Sequence, residues 1–198
     1  MTKLDAERVA GEVLAAIDAP AQIAPFTQRD PTFKIEDALA TLAELRKKRV
    51  ARGEKHAGRK IGFTNRGIWA EYGVAAPMWA HMYDSTVHML ADNRAVVDCG
   101  GFADPKLEPE IVVHFHRAPP AGAGGGRDAC LAILDCIDWI AHGLEIVDCH
   151  APGWRFSLPD TVGEFGLHAA LYVGTPQPAG DLAESPAGLL DALAGFGL

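Results

Sequence analysis

Little in this chain points to thiolate, nucleic-acid or membrane chemistry. Only four cysteines occur in 198 residues, and Cys99, Cys130, Cys136 and Cys149 show none of the CxxC spacing of a zinc or redox motif. They read as reduced, buried thiols of a cytoplasmic protein. Positive charge is scarce, with 18 Lys and Arg against 26 Asp and Glu for a net charge of −8, which argues against non-specific nucleic-acid binding. The one basic cluster, RKKR at 46–49, ends a predicted helix, where cations favour the negative end of the macrodipole. No run approaches the ~20 apolar residues that span a bilayer. Acids stand near the N-terminus where a signal peptide would be hydrophobic. The glycine-rich AGAGGGRD lacks the GK[ST] ending of a phosphate loop and reads as a flexible connection.

What is present is an ordinary globular composition, 48% hydrophobic and 22% charged, enough for one domain or one domain with a small appendage. Leu4, Val9, Val13 and Ile17 have helical spacing, as do Ile35, Leu39, Leu42 and Leu45. RKIGF at 59–63 is a strand candidate, and NRGIWAEYGV suggests a short helix closed by Gly73. Residues 77–103 read as short strands. A third helix is expected over Ala129–Ile140 with Asp128 as its cap, and GEFGLHAALYVG reads as a strand. A helical part over 1–75 and a β part over 76–198 follow.

Two apolar segments carry acids. KLEPEIVVHF holds Glu108 and Glu110, and HGLEIVDCH holds Glu145. Residues two apart on a strand share a face, with their bases ~7 Å apart. Buried carboxylates are costly unless paired or bound to a metal, and neither strand core has an Arg or Lys. A hard cation with oxygen ligands, Mg²⁺ or Mn²⁺, meets that need. On spacing alone, a Glu-x-Glu pair is more often a solvated outer face. Pro109 confines its strand to an edge, a start or a bulge. A strand–loop–helix–strand order can bring the strand of Glu145 beside that of Glu110.

GRKIGFTN at 58–65, MYDSTVH at 82–88, LEPEIVV at 107–113 and GLEIVDCHAPGWRFSLPDTV at 143–162 occur in an order that resembles one family. It is that of the 2-oxopent-4-enoate hydratases and 2-oxo-3-hexenedioate decarboxylases, within the fumarylacetoacetate hydrolase superfamily. The resemblance implies an α+β fold, a mixed β-sheet roll with helices outside and at the N-terminus. It implies Glu108, Glu110 and Glu145 as ligands of Mg²⁺ or Mn²⁺, Lys60 as a charge-stabilising or proton-carrying residue, and Asp84 as an acid reaching the same pocket. It also implies a small 2-oxo acid substrate, a homo-oligomer and metal-dependent hydration of a 2-hydroxy-2,4-dienoate. The alternatives are decarboxylation of a 2-oxo-3-enedioate, acylpyruvate hydrolysis, or a non-catalytic partner. Two departures stand out. Leu167, next to His168, stands near where the family tends to carry a small polar residue, and the glycine-rich strands that complete the family's roll are expected beyond the equivalent of Leu198, where this sequence stops.

Overall fold

The computed structural model describes residues 4–122 and 124–194. Its elements fall into two interleaved units, Met1–His88 with Val96–Glu108 and Glu145–Leu171, and Met89–Ala95 with Pro109–Leu144 and Tyr172–Leu198. The strand His56–Gly62, before residue 75, pairs with the strand Met78–Tyr83 after it, within the first unit.

In the first unit, helix α1 (Ala6–Asp18) starts where the Asp5 carboxylate accepts the Arg8 N–H, and it buries Val9, Val13 and Leu14. Helix α2 (Phe26–Arg29) is a single turn. Helix α3 (Ile35–Ala51) packs on α1 through Leu42 and Leu45. Strand β1 (His56–Gly62) pairs antiparallel with β2 (Met78–Tyr83), which sets Lys60 opposite Ala80 and Gly62 opposite Met78. Between them lies the short helix α4 (Trp69–Tyr72), closed by Gly73 in the left-handed region at φ 62°. Phe26, Phe33, Met78, Tyr83, Val162 and Phe165 join the two helices in one core.

Helix α6 (Leu158–Gly163) follows, with Ser157 and Asp160 forming a reciprocal cap. Asp160 is fully buried and also accepts the Thr27 N–H and hydroxyl at 2.9 and 2.7 Å. These contacts make it a structural residue.

The other sheet has the order β3 (Val87–Met89), β6 (His168–Val173), β5 (Ile137–Asp148), β4 (Pro105–Phe115), and β7 (Gln177–Pro178) pairs with β5. The strand of Glu145 therefore lies beside the strand of Glu108 and Glu110. Pro109 sits in a strand at the end of the sheet's order, a position that tolerates proline.

In the second unit, helix α5 (Arg127–Leu134) is shorter than expected. Gly126, not Asp128, is its cap residue, and Ile137–Ile140 opens β5. The helical-looking spacing is overridden because Ile137 and Ile140 pack on Leu189 of helix α8 (Pro186–Ala194). Helix α7 (Ala179–Leu182) joins β7 to α8. The apolar end of LLDALAGFGL, from Gly195 onward, lies outside the described residues. The expected β structure over 77–103 stops at Met89, beyond which a short 3₁₀ turn at Cys99–Gly101 intervenes. Cys136 and Cys149 are buried free thiols, whereas Cys99 and Cys130 are exposed, contrary to the expectation that all four are buried. Among the described residues, no helix is long and apolar enough to cross a membrane.

Candidate metal centre and its partners

Alternation along β4 puts Glu108 and Glu110 on one face, and β5 brings Glu145 to them. The three residues each offer a carboxylate oxygen, and these oxygens lie within 4.8 Å of one another. Ligands on one divalent cation at about 2.0–2.6 Å stand no more than about 4–5 Å apart. The donor set, all carboxylate oxygen, suits a hard cation.

Charge is the second test. Glu145 is 1% exposed. Its Oε2 accepts a hydrogen bond from Lys60 Nζ at 2.8 Å and its Oε1 one from His168 Nδ1 at 2.7 Å. Burial by itself would raise the Glu145 pKa. The His168 hydrogen bond and the Lys60 charge outweigh it and hold the carboxyl below its ordinary value. Glu108, although exposed as a whole residue, has a raised pKa. Loss of solvent around the carboxyl is the main cause, and the Glu145 charge adds to it against the pull of Lys60. Lys60, with Lys106 at Glu108, offsets part of the charge of the three acids, and an added cation would relieve the remaining repulsion.

Lys60 reaches the site from β1, with its side chain 8% exposed. Gly166 packs against the same strand pair, closest to Ala80 and Met78. At φ 62° this backbone is one that L side chains rarely adopt, and a Cβ there would stand 2.9 Å from Ala80 Cβ and 3.4 Å from Lys60 Cδ. The glycine of GEFGL was therefore a legible signal of close backbone approach that the sequence reading passed over.

Asp84 is not brought to this cluster. It is exposed at the end of β2, where its Oδ1 accepts the Lys55 N–H at 2.9 Å and its own N–H donates to the Lys55 carbonyl. His168 has no side-chain exposure and bridges Glu145 to the Thr86 hydroxyl, 2.8 Å from Nε2. Its pKa is lowered, first by burial and then by the charges of Lys60 and Arg49, although Glu145 pulls it upward.

Arg49, the last of the basic run, is 5% exposed rather than solvated. It donates to Glu54 and lies 4.6 Å from the Tyr83 ring and 4.9 Å from the Phe165 ring. Arg66 sits 5.6 Å from the Trp69 ring. Arg155 lines an open groove of about 380 Å³ walled by Tyr72, Trp154 and Phe156.

No family model matches the chain. It is 29% identical over 160 residues to a 2-hydroxyhexa-2,4-dienoate hydratase of Comamonas testosteroni, covering 80% of this chain and 58% of that one. It is 26% identical over 196 residues to a 2-keto-4-pentenoate hydratase of Paraburkholderia xenovorans, covering 99% of this chain and 68% of the relative. A solved structure of 4-oxalocrotonate decarboxylase from Pseudomonas putida G7, complexed with magnesium and adipate, superposes with a TM-score of 0.78 at 25% identity, over 88% of this chain and 65% of that one. The chain spans little more than half the length of several curated relatives it matches, 56% for one decarboxylase and 58% for the Comamonas hydratase. The α+β architecture with a mixed sheet is that of these fumarylacetoacetate-hydrolase-like proteins, with no closed barrel among the described residues. In sequence across most of its length, and in fold, the chain is similar to 2-keto-4-pentenoate hydratases and 4-oxalocrotonate decarboxylases.

Proposed function

We propose that this chain carries the site of a divalent-metal-dependent hydro-lyase that converts a 2-hydroxy-2,4-dienoate to a 4-hydroxy-2-oxo acid. The convergence of Glu108, Glu110 and Glu145 within 4.8 Å carries the reading, and the hydratase names among the relatives give it direction. The three carboxylates would hold Mg²⁺ or Mn²⁺. When bound, the cation supplies Lewis-acid stabilisation of the enolate charge on a 2-oxo acid.

The chain's own contribution is to fix charge and to move protons. In the reaction the dienol loses its 2-hydroxyl proton and gains one at C5, giving a 2-oxo-3-enoate. Water then adds its hydroxyl to C4 and a proton to C3. Lys60 is assigned the proton transfer at Nζ, because it is the ammonium group hydrogen-bonded inside the acid cluster. Its place on β1 and its hydrogen bond to Glu145 restrict where Nζ can reach. Asp84 receives no role in this scheme, since its carboxylate serves the Lys55 backbone. A homo-oligomer is part of the reading, supported by Ile111, Val113 and Phe115, which are exposed on strand β4 at the sheet's end.

The experiment is a turnover panel of 2-hydroxy-2,4-dienoates and 2-oxo-3-enedioates, with Mg²⁺, Mn²⁺ or EDTA. Loss of dienol absorbance without CO₂ release, abolished by EDTA, is the expected result. CO₂ release from the dioates in its place would make the chain a decarboxylase. Absence of metal-dependent turnover on either class would refute the proposal.

A further inference from the structure

Glu145 is held from both sides, by Lys60 on Oε2 and by His168 on Oε1. The two partners differ in kind. Lys60 ends in a flexible ammonium, whereas the His168 ring is rigid, has no side-chain exposure and is itself anchored at Thr86. Thr86 lies in the turn between β2 and β3, and its hydroxyl stands 3.1 Å from the Tyr83 carbonyl. The backbone adds to the anchor, since the Leu171 N–H of β6 donates to the Thr86 carbonyl at 2.8 Å.

A carboxylate only accepts hydrogen bonds, so Nδ1 of His168 must carry the proton of the His168–Glu145 contact whatever the charge of the ring. We infer that His168 is a positioning residue for the metal centre: its Nδ1–H fixes the rotation of the Glu145 carboxylate, leaving the remaining lone pairs of Glu145 for a cation shared with Glu108 and Glu110. This rests on Glu145 being a cation ligand, as proposed above. His168 is fully enclosed and acts through Glu145 alone. Lys60 cannot substitute for it, because a flexible ammonium on Oε2 restrains the carboxylate's distance better than its rotation. Outer partners of this sort typically change metal affinity by about 10–100-fold when removed.

Side-chain geometry supplies a test that separates positioning from packing. The amide nitrogen of asparagine overlays His Nδ1, and that of glutamine overlays His Nε2. His168→Asn keeps a donor for Glu145 and loses the one near Thr86, while His168→Gln does the reverse. His168→Leu keeps neither. Mn²⁺ affinity of the 198-residue chain is measured by calorimetry and by the electron paramagnetic resonance signal of free Mn²⁺, with thermal melts to verify folding. The expected order is wild type, then Asn within about threefold, then Gln and Leu weaker by about tenfold or more. Equal affinities for folded Asn and Gln variants, or wild-type affinity in either Gln or Leu, overturn the inference. If Leu does not fold, the Asn–Gln contrast decides alone. Failure of the wild-type chain to bind Mn²⁺ is a different result: it removes the metal reading itself, and His168 positioning with it.

Discussion

Replacing Lys60 by methionine should lower stability and raise metal affinity together. The variant keeps the length and much of the volume of the side chain and deletes only its charge. In the native protein Lys60 Nζ and Glu145 Oε2 are 2.8 Å apart, with side chains 8% and 1% exposed. Solvent therefore screens the pair poorly, and removing one member of a buried pair costs about 3–5 kcal/mol. His168 still hydrogen-bonds Glu145, which places the expected loss near the lower end, about 3 kcal/mol. For a chain of this size that corresponds to about 6–12 °C in Tm. The measurement is a pair of melts, in EDTA and with Mn²⁺. A cation at a hundredfold its Kd adds about 2.7 kcal/mol to the wild type. The gain should be larger for Lys60→Met, because the ammonium no longer repels the ion. The gap between the two proteins then narrows with metal. A Tm fall below about 2 °C in EDTA would mean that solvent reaches the pair. A gap that widens with Mn²⁺ would mean that Lys60 does not share the site with the ion.

Two further outcomes follow from the same core. His81 is buried in β2, and burial, followed by the charges of His56, Arg46 and Arg59, lowers its pKa to about 4. The unfolded chain protonates this ring near pH 6.5 while the folded one does not, so stability should fall as pH drops from about 6.5 to 4. His81→Gln should flatten that part of a pH series of urea midpoints, and an unchanged slope would refute the assignment. Asp160→Ala removes the acceptor for the N–H and hydroxyl groups of both Thr27 and Ser157. It should cost about 3 kcal/mol or more in urea unfolding, and a loss under about 1 kcal/mol would contradict a buried cap.

The fold was legible where pattern and packing agree. The spacing of Val9 and Val13, and of Leu42 and Leu45, gave helices α1 and α3 because one core takes up both faces. It misled at Ile137 and Ile140. An apolar face with helical spacing also suits a strand when a separate helix, here α8, covers it. The same limit applies to Arg49. Four consecutive basic residues look like a solvated helix end, and nothing local reveals that the last one turns inward between Tyr83 and Phe165.

The acidic site was readable for a different reason. Carboxylates are expensive inside apolar strands, so their presence in KLEPEIVVHF and HGLEIVDCH demanded a compensating charge before any partner was known. Sequence could indicate that demand but not how it is met, because Lys60 lies 85 positions from Glu145 and His168 lies 23. Asp84 shows the converse. It sits in a segment that resembles the family, yet its carboxylate accepts the Lys55 N–H at the exposed end of β2. A motif identifies residues that chemistry could use, while neighbours determine which remain available. By that measure His168 belongs with the acidic cluster more firmly than Asp84, since its Nδ1 has Glu145 as its acceptor and its ring is closed to solvent.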